Sequence, residues 1–214
     1  MILELAHWLP VSAAEGPHER FVIWLQGCSL RCPGCCNPEL FERGRGRAVE
    51  VDELVEQVLA AARTHAIEGL TVLGGEPLEQ LPGLIDLCSR VQRAGLGVIV
   101  FTGFELEQAR ALPGFAALWS AIDSLVDGPF RAREPEPAAE AGGRRVIGSR
   151  NQVLHHRSDR YADASLWLAS EPTVELRIDP SGRASVHGSP DLARRLIRQL
   201  GRDPGLLGAQ AGGE

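Results

Sequence analysis

The chain has 214 residues, of which 44% are hydrophobic and 23% are charged, and its formal net charge is −6. This composition excludes a largely disordered chain and suits one domain, or one domain with a modest appendage. The acidic balance argues against a broad nucleic-acid surface, and no apolar run approaches the roughly 18 residues needed to span a bilayer. The start lacks the features of a signal peptide, so we expect a cytoplasmic protein whose thiols stay reduced.

The first predicted elements are two strands and a helix. ILELAHW (2–8) predicts a strand, and the apolar run FVIWLQG (21–27) predicts a second strand that leads directly into four cysteines. A loop rich in glycine and arginine is predicted at 41–49. In VDELVEQVLAAARTH (51–65) the apolar residues recur on one helical face, which predicts a helix.

From residue 69 onward, strand patterns and helix patterns alternate. The predicted elements are a strand with a Gly-Gly turn at 69–78, a helix at 81–95, a strand at 97–103, helical pieces at 104–112 and 115–121, and a strand at 122–128. The connections are long enough for crossovers. This alternation predicts a parallel sheet built from βαβ units.

The remaining chain predicts smaller features. Residues 131–145 form a Pro/Glu/Ala/Gly-rich insert that we expect to be a mobile loop. VELRIDPSGRASVHG (174–188) predicts a hairpin that turns at 180–182. DLARRLIRQL (191–200) predicts an amphipathic helix, and the last residues predict a frayed tail.

Four of the five cysteines lie within nine residues, at Cys28, Cys32, Cys35 and Cys36. They follow a predicted strand, at the carboxyl edge where parallel sheets place ligand sites. The first three have spacing that lets one loop wrap a small inorganic cluster. Cys36 is a poor fourth ligand because adjacent residues rarely both reach one cluster, and Cys88 is expected in the apolar core.

A [4Fe–4S] cluster normally takes four thiolates, so three would leave one iron open to a small molecule. Structural zinc remains the alternative, although zinc sites usually combine two paired half-sites and no second pair follows here. Disulfides are disfavoured in the expected reducing compartment.

The C-x3-C-x2-C spacing, with Gly-Gly-Glu after the next predicted strand, resembles the radical S-adenosylmethionine (radical SAM) superfamily. GC-x3-CPGC-x-NP at 27–38 is similar to one branch of it, the activating proteins of anaerobic ribonucleoside-triphosphate reductase. Further pieces that match this branch in order are GPHER at 16–20, LGGEPL at 73–78, FTGF at 101–104, DSLVDGPF at 123–130 and GSRNQ at 148–152.

The resemblance implies an α/β fold, a partial, open (β/α) barrel of the radical SAM type with a small C-terminal β-hairpin plus helix extension. Residues 1–160 would be the core, containing the cluster loop 27–38 and the insert, and 161–214 would be the extension. It also implies an oxidoreductase in which Cys28, Cys32 and Cys35 bind one [4Fe–4S] cluster. S-adenosyl-L-methionine would bind the fourth iron and be cleaved reductively to a 5′-deoxyadenosyl radical.

In the activase branch this radical installs a glycyl radical on a large partner enzyme. The implied partners are therefore a glycyl-radical enzyme such as anaerobic ribonucleotide reductase and, by analogy, a flavodoxin or ferredoxin as electron donor. No membrane or direct nucleic-acid partner is expected.

The resemblance also implies contacts to the S-adenosylmethionine. Gly74 and Gly75 would let the backbone approach the methionine moiety, and Glu76 would add negative charge nearby. The alternative for these residues is a plain strand-to-helix turn. Thr102, at the end of the third parallel strand, could reach the cofactor or cap the helical piece after it.

The resemblance implies less specific roles for several other residues. Gly34 and Cys36 would lie near the adenine. Arg20 matches a family position, with a solvated arginine at a strand start as the equal alternative. Modest candidates for the rim of the site are Asp127, Asn151 and Gln152.

The chain departs from the family pattern at His18, where glycine is usual, and in the insert and the C-terminal extension, either of which could dock a different partner. Two other functions therefore stay open. One is a single-cluster radical SAM enzyme that modifies a peptide or small molecule. The other is a non-catalytic iron–sulfur or zinc protein, against which the Gly-Gly-Glu-Pro segment and the missing fourth cysteine argue.

Overall fold

The structure, a computed structural model, describes residues 1–168, 174–178 and 184–188, together with 192, 195, 196 and 198. Within these residues no helix is long and apolar enough to cross a membrane. The strands are β1 (Ile2–Ser12), β2 (Arg20–Leu25), β3 (Arg47–Glu50), β4 (Gly69–Gly74), β5 (Gly97–Phe101), β6 (Ser124–Asp127), β7 (Val153–His156), β8 (Val174–Ile178) and β9 (Ala184–Gly188). The α-helices are α1 (Val51–His65), α2 (Leu81–Arg93), α3 (Leu106–Arg110) and α4 (Phe115–Ser120).

Seven strands form one mixed sheet in the order β3-β1-β2-β4-β5-β6-β7. The four central strands β2, β4, β5 and β6 are parallel, which confirms the predicted βαβ alternation. The outer strands β1, β3 and β7 pair antiparallel. The fold is therefore a mixed α/β fold with a mostly parallel central sheet.

Two edge strands differ from the sequence predictions. Residues 41–49 are not wholly a loop, because β3 pairs Arg47–Glu50 with the first residues of β1. β7, which has no strand prediction, pairs Val153–His156 with β6. Each strand has only four residues, too few for an alternating pattern to stand out, and each is fixed by its neighbour in the sheet.

The main core lies on one face of the sheet, under the helices. Phe21, Ile23 and Leu25 of β2 pack there with the apolar faces of α1, α2 and α4, and Cys88 is fully buried among them as predicted. On the opposite face, Val22 and Trp24 pack with Leu9 and Leu40. Further along that face, the buried residues are Ile99, Val126, Ile147, Tyr161 and Trp167.

The C-terminal hairpin is confirmed, since β8 and β9 pair antiparallel. It contacts the end of β1, where the Glu175 Oε1 accepts a hydrogen bond from the Ala13 N–H at 2.7 Å and the Arg177 guanidinium donates to the Val11 carbonyl. The turn at 180–182 lies outside the described residues. Of the predicted helix 191–200, the four described positions are helical.

Arg20 is fully buried at the amino edge of the parallel strands, so the alternative of a solvated arginine is wrong. Its Nε donates to the Thr71 hydroxyl at 2.7 Å, and one terminal nitrogen donates to Glu68 at 2.7 Å and Tyr161 at 2.8 Å. The other donates to the Leu70 carbonyl at 2.8 Å. Arg20 therefore ties β2 to β4 and to the segment around Tyr161, at the sheet edge opposite the cysteines.

Replacing this arginine should destabilise the whole domain. We expect Arg20→Ala to lower the free energy of unfolding by about 3 kcal/mol, because the variant leaves buried acceptors without their donor. Arg63→Ala, on the exposed surface of α1, is the matched control and should change it by less than about 0.5 kcal/mol. Anaerobic urea unfolding measures both, and equal midpoints for the two variants would contradict the assignment.

Candidate functional site

The cysteine loop leaves β2 at the carboxyl edge of the parallel strands. It returns beside its own start, because the Gly27 N–H donates to the Leu40 carbonyl at 2.8 Å and the Cys28 N–H donates to the Phe41 carbonyl at 3.0 Å. The Gln26 side chain closes the same loop by donating to two backbone carbonyls at 3.1 and 2.7 Å. The loop is thus anchored at its base while the segment with the cysteines projects from the edge.

The thiols of the loop differ in exposure and in hydrogen bonding. Cys28, Cys32 and Cys35 are partly buried, whereas Cys36 is exposed. Burial raises the pKa of the Cys28 thiol, opposed by the backbone N–H groups of the two residues at 30 and 31. The Cys36 thiol donates to the Cys35 sulfur and lowers the pKa of Cys35 to about 6, helped by the Asn37 N–H.

The donor set fits an iron–sulfur cluster in its chemistry. Three thiols lie within eight residues of one loop, and backbone N–H groups point at two of the sulfurs, as they do around protein-bound clusters. The thiols are not gathered around one point, since no three Cys, His, Asp or Glu side chains among the described residues are placed to hold a metal ion.

Glu79 ties the cysteine loop to the segment after β4. One carboxylate oxygen accepts from the Ser29 N–H at 3.0 Å and from its hydroxyl at 2.5 Å, and the other accepts from Arg43 at 2.6 Å. Burial alone would raise the pKa of Glu79, but these donors outweigh it and lower the pKa. No sequence motif singles out Glu79, whose only signal is its place three residues after Glu76.

Gly74 and Gly75 lie against the end of β2. The Gly75 N–H donates to the Leu25 carbonyl at 2.7 Å, and a Cβ built on Gly75 would lie 2.0 Å from the Gly27 carbonyl oxygen. Gly74 has a φ of +121°, and a Cβ there would lie 2.1 Å from the Leu25 nitrogen. The structure therefore requires both glycines for contact between two strand ends, independently of any cofactor.

Glu76 and Thr102 are buried and bound to each other. The Thr102 hydroxyl donates to Glu76 Oε1 at 2.7 Å, which also accepts from the Leu78 N–H at 2.9 Å, while Oε2 accepts from the Gly103 N–H at 2.8 Å. Burial raises the pKa of Glu76 to about 7 despite these three donors. The pair connects the loop after β4 to the loop after β5.

The remaining predicted residues lie further around the same edge. Gly34 is exposed at the tip of the cysteine loop, with a φ of +80°. Asp127 is buried at the end of β6 and accepts from the Leu106 N–H at 2.6 Å. The side chains of Asn151 and Gln152 both bind the turn that follows β6, through the Pro129 carbonyl at 2.8 Å and the Gly128 carbonyl at 3.2 Å.

Aromatic rings lie on the sheet face opposite the α-helices, although no sequence motif predicts them. His7 stacks on Trp24 with ring centroids 4.2 Å apart, and His187 of the C-terminal hairpin lies 5.3 Å from Trp24. The alternation within β2 was the available signal, because it places Trp24 on the face opposite Ile23.

A family described as a 4Fe-4S single cluster domain matches residues 14–155, which include the cysteine loop and the Gly-Gly-Glu segment. Because this match covers more than half of the sequence, the chain belongs to that single-cluster iron–sulfur family.

Two curated relatives are activating enzymes. The chain is 30% identical over 157 residues to the anaerobic ribonucleoside-triphosphate reductase-activating protein of Salmonella typhi, which covers 70% of this chain and 96% of that protein. It is 35% identical over 95 residues to the pyruvate formate-lyase-activating enzyme of Staphylococcus epidermidis, covering 43% of this chain and 38% of that enzyme. These relatives confirm the resemblance to radical SAM activating proteins.

Among solved structures, QueE from Escherichia coli aligns with a TM-score of 0.40 and 14% identity, covering 62% of this chain and 73% of that chain. That likeness is too weak to inform the fold or the function.

A methyl group at position 75 should displace the cysteine loop. We expect Gly75→Ala to lower the free energy of unfolding by about 2 kcal/mol or more, because the new Cβ would overlap the Gly27 carbonyl. In the metal-free protein, a maleimide should then label the loop cysteines faster. Gly95→Ala is the control, because Gly95 has a φ of +86° but a Cβ there would meet nothing within 4 Å. We expect it to lower the free energy of unfolding by about 1 kcal/mol, the cost of a left-handed backbone at alanine. Equal effects would refute the close contact.

Glu76 should make stability depend on pH. Its carboxyl group holds a proton more tightly in the folded protein, with a pKa of about 7, than in the unfolded chain, where the pKa is near 4.5. The contribution of Glu76 to the free energy of unfolding should therefore fall by up to about 3 kcal/mol as the pH rises from 4.5 to 7.

Urea unfolding of wild type and Glu76→Gln across that range measures this contribution, because the glutamine does not titrate. Glu107→Gln, at an exposed position, controls for the exchange itself. A difference between wild type and Glu76→Gln that stays constant with pH would show that the carboxyl group titrates alike in both states.

Proposed function

We propose that this protein is a radical SAM enzyme that activates a glycyl-radical partner, most simply an anaerobic ribonucleotide reductase. The observation that carries the proposal is the 30% identity to the Salmonella typhi activating protein across 96% of that protein's length. The likeness to a pyruvate formate-lyase-activating enzyme supports the same class of reaction on a second partner type. The substrate is thus a large protein, and a flavodoxin or ferredoxin is the proposed electron donor by analogy.

The ligands of the [4Fe–4S] cluster are, in this proposal, Cys28, Cys32 and Cys35. Their partial burial and the N–H groups directed at the first and third sulfurs support this set. Cys36 is exposed and bonds to Cys35 through its thiol, which suits a neighbour of the cluster rather than a ligand. With one electron from the donor, a cluster held by these residues would supply the chemistry that cleaves S-adenosylmethionine to methionine and a 5′-deoxyadenosyl radical, which would take a hydrogen atom from the partner's glycine.

The chain's own residues then bind and orient the S-adenosylmethionine. Gly34 and Cys36 are the proposed contacts from the cysteine loop, since both are adjacent to the third cysteine and Gly34 lies at the exposed tip. Gly74 and Gly75 offer backbone atoms at the end of β4. Glu76 and Thr102 belong to the same cofactor site, but their hydrogen bonds to each other and to backbone N–H groups support a positioning role.

For the architecture we propose a partial, open (β/α) barrel whose core spans 1–160, with 161–214 as an extension. Among the described residues the seven-stranded sheet runs from β3 to β7 without closing on itself, which supports an open rather than a closed barrel. Tyr161 and Trp167 lie just past the proposed boundary but are buried with core residues of β5 and β6. Any shortened chain should therefore retain both aromatic residues.

Alanine replacement of each loop cysteine tests the ligand set. After anaerobic reconstitution with iron and sulfide, we expect Cys28→Ala, Cys32→Ala and Cys35→Ala to lose the cluster and to form no 5′-deoxyadenosine with dithionite and S-adenosylmethionine. Cys36→Ala and Cys88→Ala are the matched controls and should retain iron. A requirement for Cys36 equal to that of the other three would refute the assignment.

The partner is tested separately. Wild type, reduced and supplied with S-adenosylmethionine, should generate an organic radical on an anaerobic ribonucleotide reductase, visible as a glycyl signal in electron paramagnetic resonance. Cleavage of S-adenosylmethionine without such a signal on either a reductase or a pyruvate formate-lyase would refute the activase role and leave the peptide-modifying or small-molecule alternative.

A further inference from the structure

Residues 129–152, here called the strap, connect β6 to β7 and contact the cysteine loop at Gly34. A Cβ built on Gly34 would lie 3.1 Å from the Ala132 Cβ and 3.8 Å from a ring carbon of Phe130. Gly34 stands between Cys32 and Cys35, two of the proposed ligands. The strap therefore touches the loop at the segment between two ligands.

The half-buried Gln152 side chain joins the last part of the strap to the residue that precedes it. Its Oε1 accepts from the backbone N–H groups of Gly148 at 3.0 Å and Ser149 at 3.1 Å, and its Nε2 donates to the Gly128 carbonyl at 3.2 Å. The side chain thus joins the two ends of the strap. Phe130 packs into the same junction, since a Cβ on Gly148 would lie 3.0 Å from its ring.

The middle part of the strap is also bound to Gln152, through Arg144. Arg144 and the half-buried Glu136 form a bidentate ion pair with bonds of 2.8 and 2.6 Å. A further Arg144 nitrogen donates to the Gln152 carbonyl at 2.8 Å. A bidentate arginine–carboxylate pair restricts both side chains, so this pair and the bond to Gln152 connect the middle of the strap to its end.

The hydrogen bonds of the Gln152 side chain argue against direct ligand binding by this residue, because both its oxygen and its nitrogen are engaged by the strap and the turn before it. Asn151 differs, because its Nδ2 donates to the Pro129 carbonyl but its buried Oδ1 has no hydrogen-bond partner among the described residues. Of the two, Gln152 is therefore the residue suited to hold the strap in place.

We propose that Gln152 is a positioning residue that clamps Phe130 and Ala132 onto the cysteine loop and so limits the access of water to the cluster. The inference rests on the proposed function, which places a cluster at that loop. Solvent exposure and hydrogen bonding to the sulfurs set cluster potentials. The reduced cluster carries one more negative charge, so water that enters a loosened strap stabilises it and shifts the reduction potential to a more positive value.

The test compares reconstituted wild type, Gln152→Ala, Gln152→Glu and the control Gln57→Ala, whose side chain bonds to Glu53 on α1, away from the cysteine loop. We expect equal iron content in all four. A chelator should remove iron from Gln152→Ala roughly tenfold faster, the factor expected from losing one or two net hydrogen bonds, and its potential should be more positive. Gln152→Glu keeps the acceptor for the two N–H groups, so its rate of iron loss should lie between the rates of wild type and Gln152→Ala.

Iron loss and potential equal to wild type in a folded Gln152→Ala protein would overturn the inference. If that variant does not fold, Phe130→Ala decides, because it removes the covering side chain itself. Faster iron loss from Phe130→Ala supports the strap's role, and an unchanged rate overturns it. Absence of a cluster in wild type would instead refute the proposed function, so the two failures are distinguishable.

Discussion

Two backbone hydrogen bonds between the ends of β2 and β4 are the contact on which the site depends. The Gly75 N–H donates to the Leu25 carbonyl at 2.7 Å and the Glu76 N–H to the Gly27 carbonyl at 2.8 Å. Such a close approach leaves no space for a side chain at position 75. Because the cysteine loop starts directly after Gly27, this contact sets the place and direction from which the thiols leave the sheet.

Carboxylates extend that contact to the neighbouring loops. Glu76 binds the loop after β5 through Thr102 and Gly103, and Glu79 binds the cysteine loop through Ser29. These hydrogen bonds thereby join the carboxyl ends of β2, β4 and β5. At the opposite edge, the buried Arg20 joins the same central strands, so polar side chains fix both edges of a sheet whose middle is apolar.

The sequence predicted the elements that depend on neighbouring residues in the chain, but not the elements that depend on contacts between distant residues. The helix predicted at 51–65 is α1 with the same bounds, because an amphipathic period is a local property. The four central strands were also predicted, since each is an apolar run between turn residues. The four-residue edge strands β3 and β7 were not, because pairing with a neighbour, rather than their own pattern, makes them strands.

For the site, the sequence by itself determined the group of four cysteines, the loop that carries it and the edge of the sheet where it lies. Spacing and strand order suffice for these, because covalent connection keeps the cysteines together whatever the rest of the chain does. Only the tertiary structure decided that Glu76 and Thr102 bind each other, that Glu79 holds Ser29 and that the strap contacts Gly34. These contacts join residues far apart in sequence, and a one-dimensional pattern does not specify which side chains face one another across the folded edge.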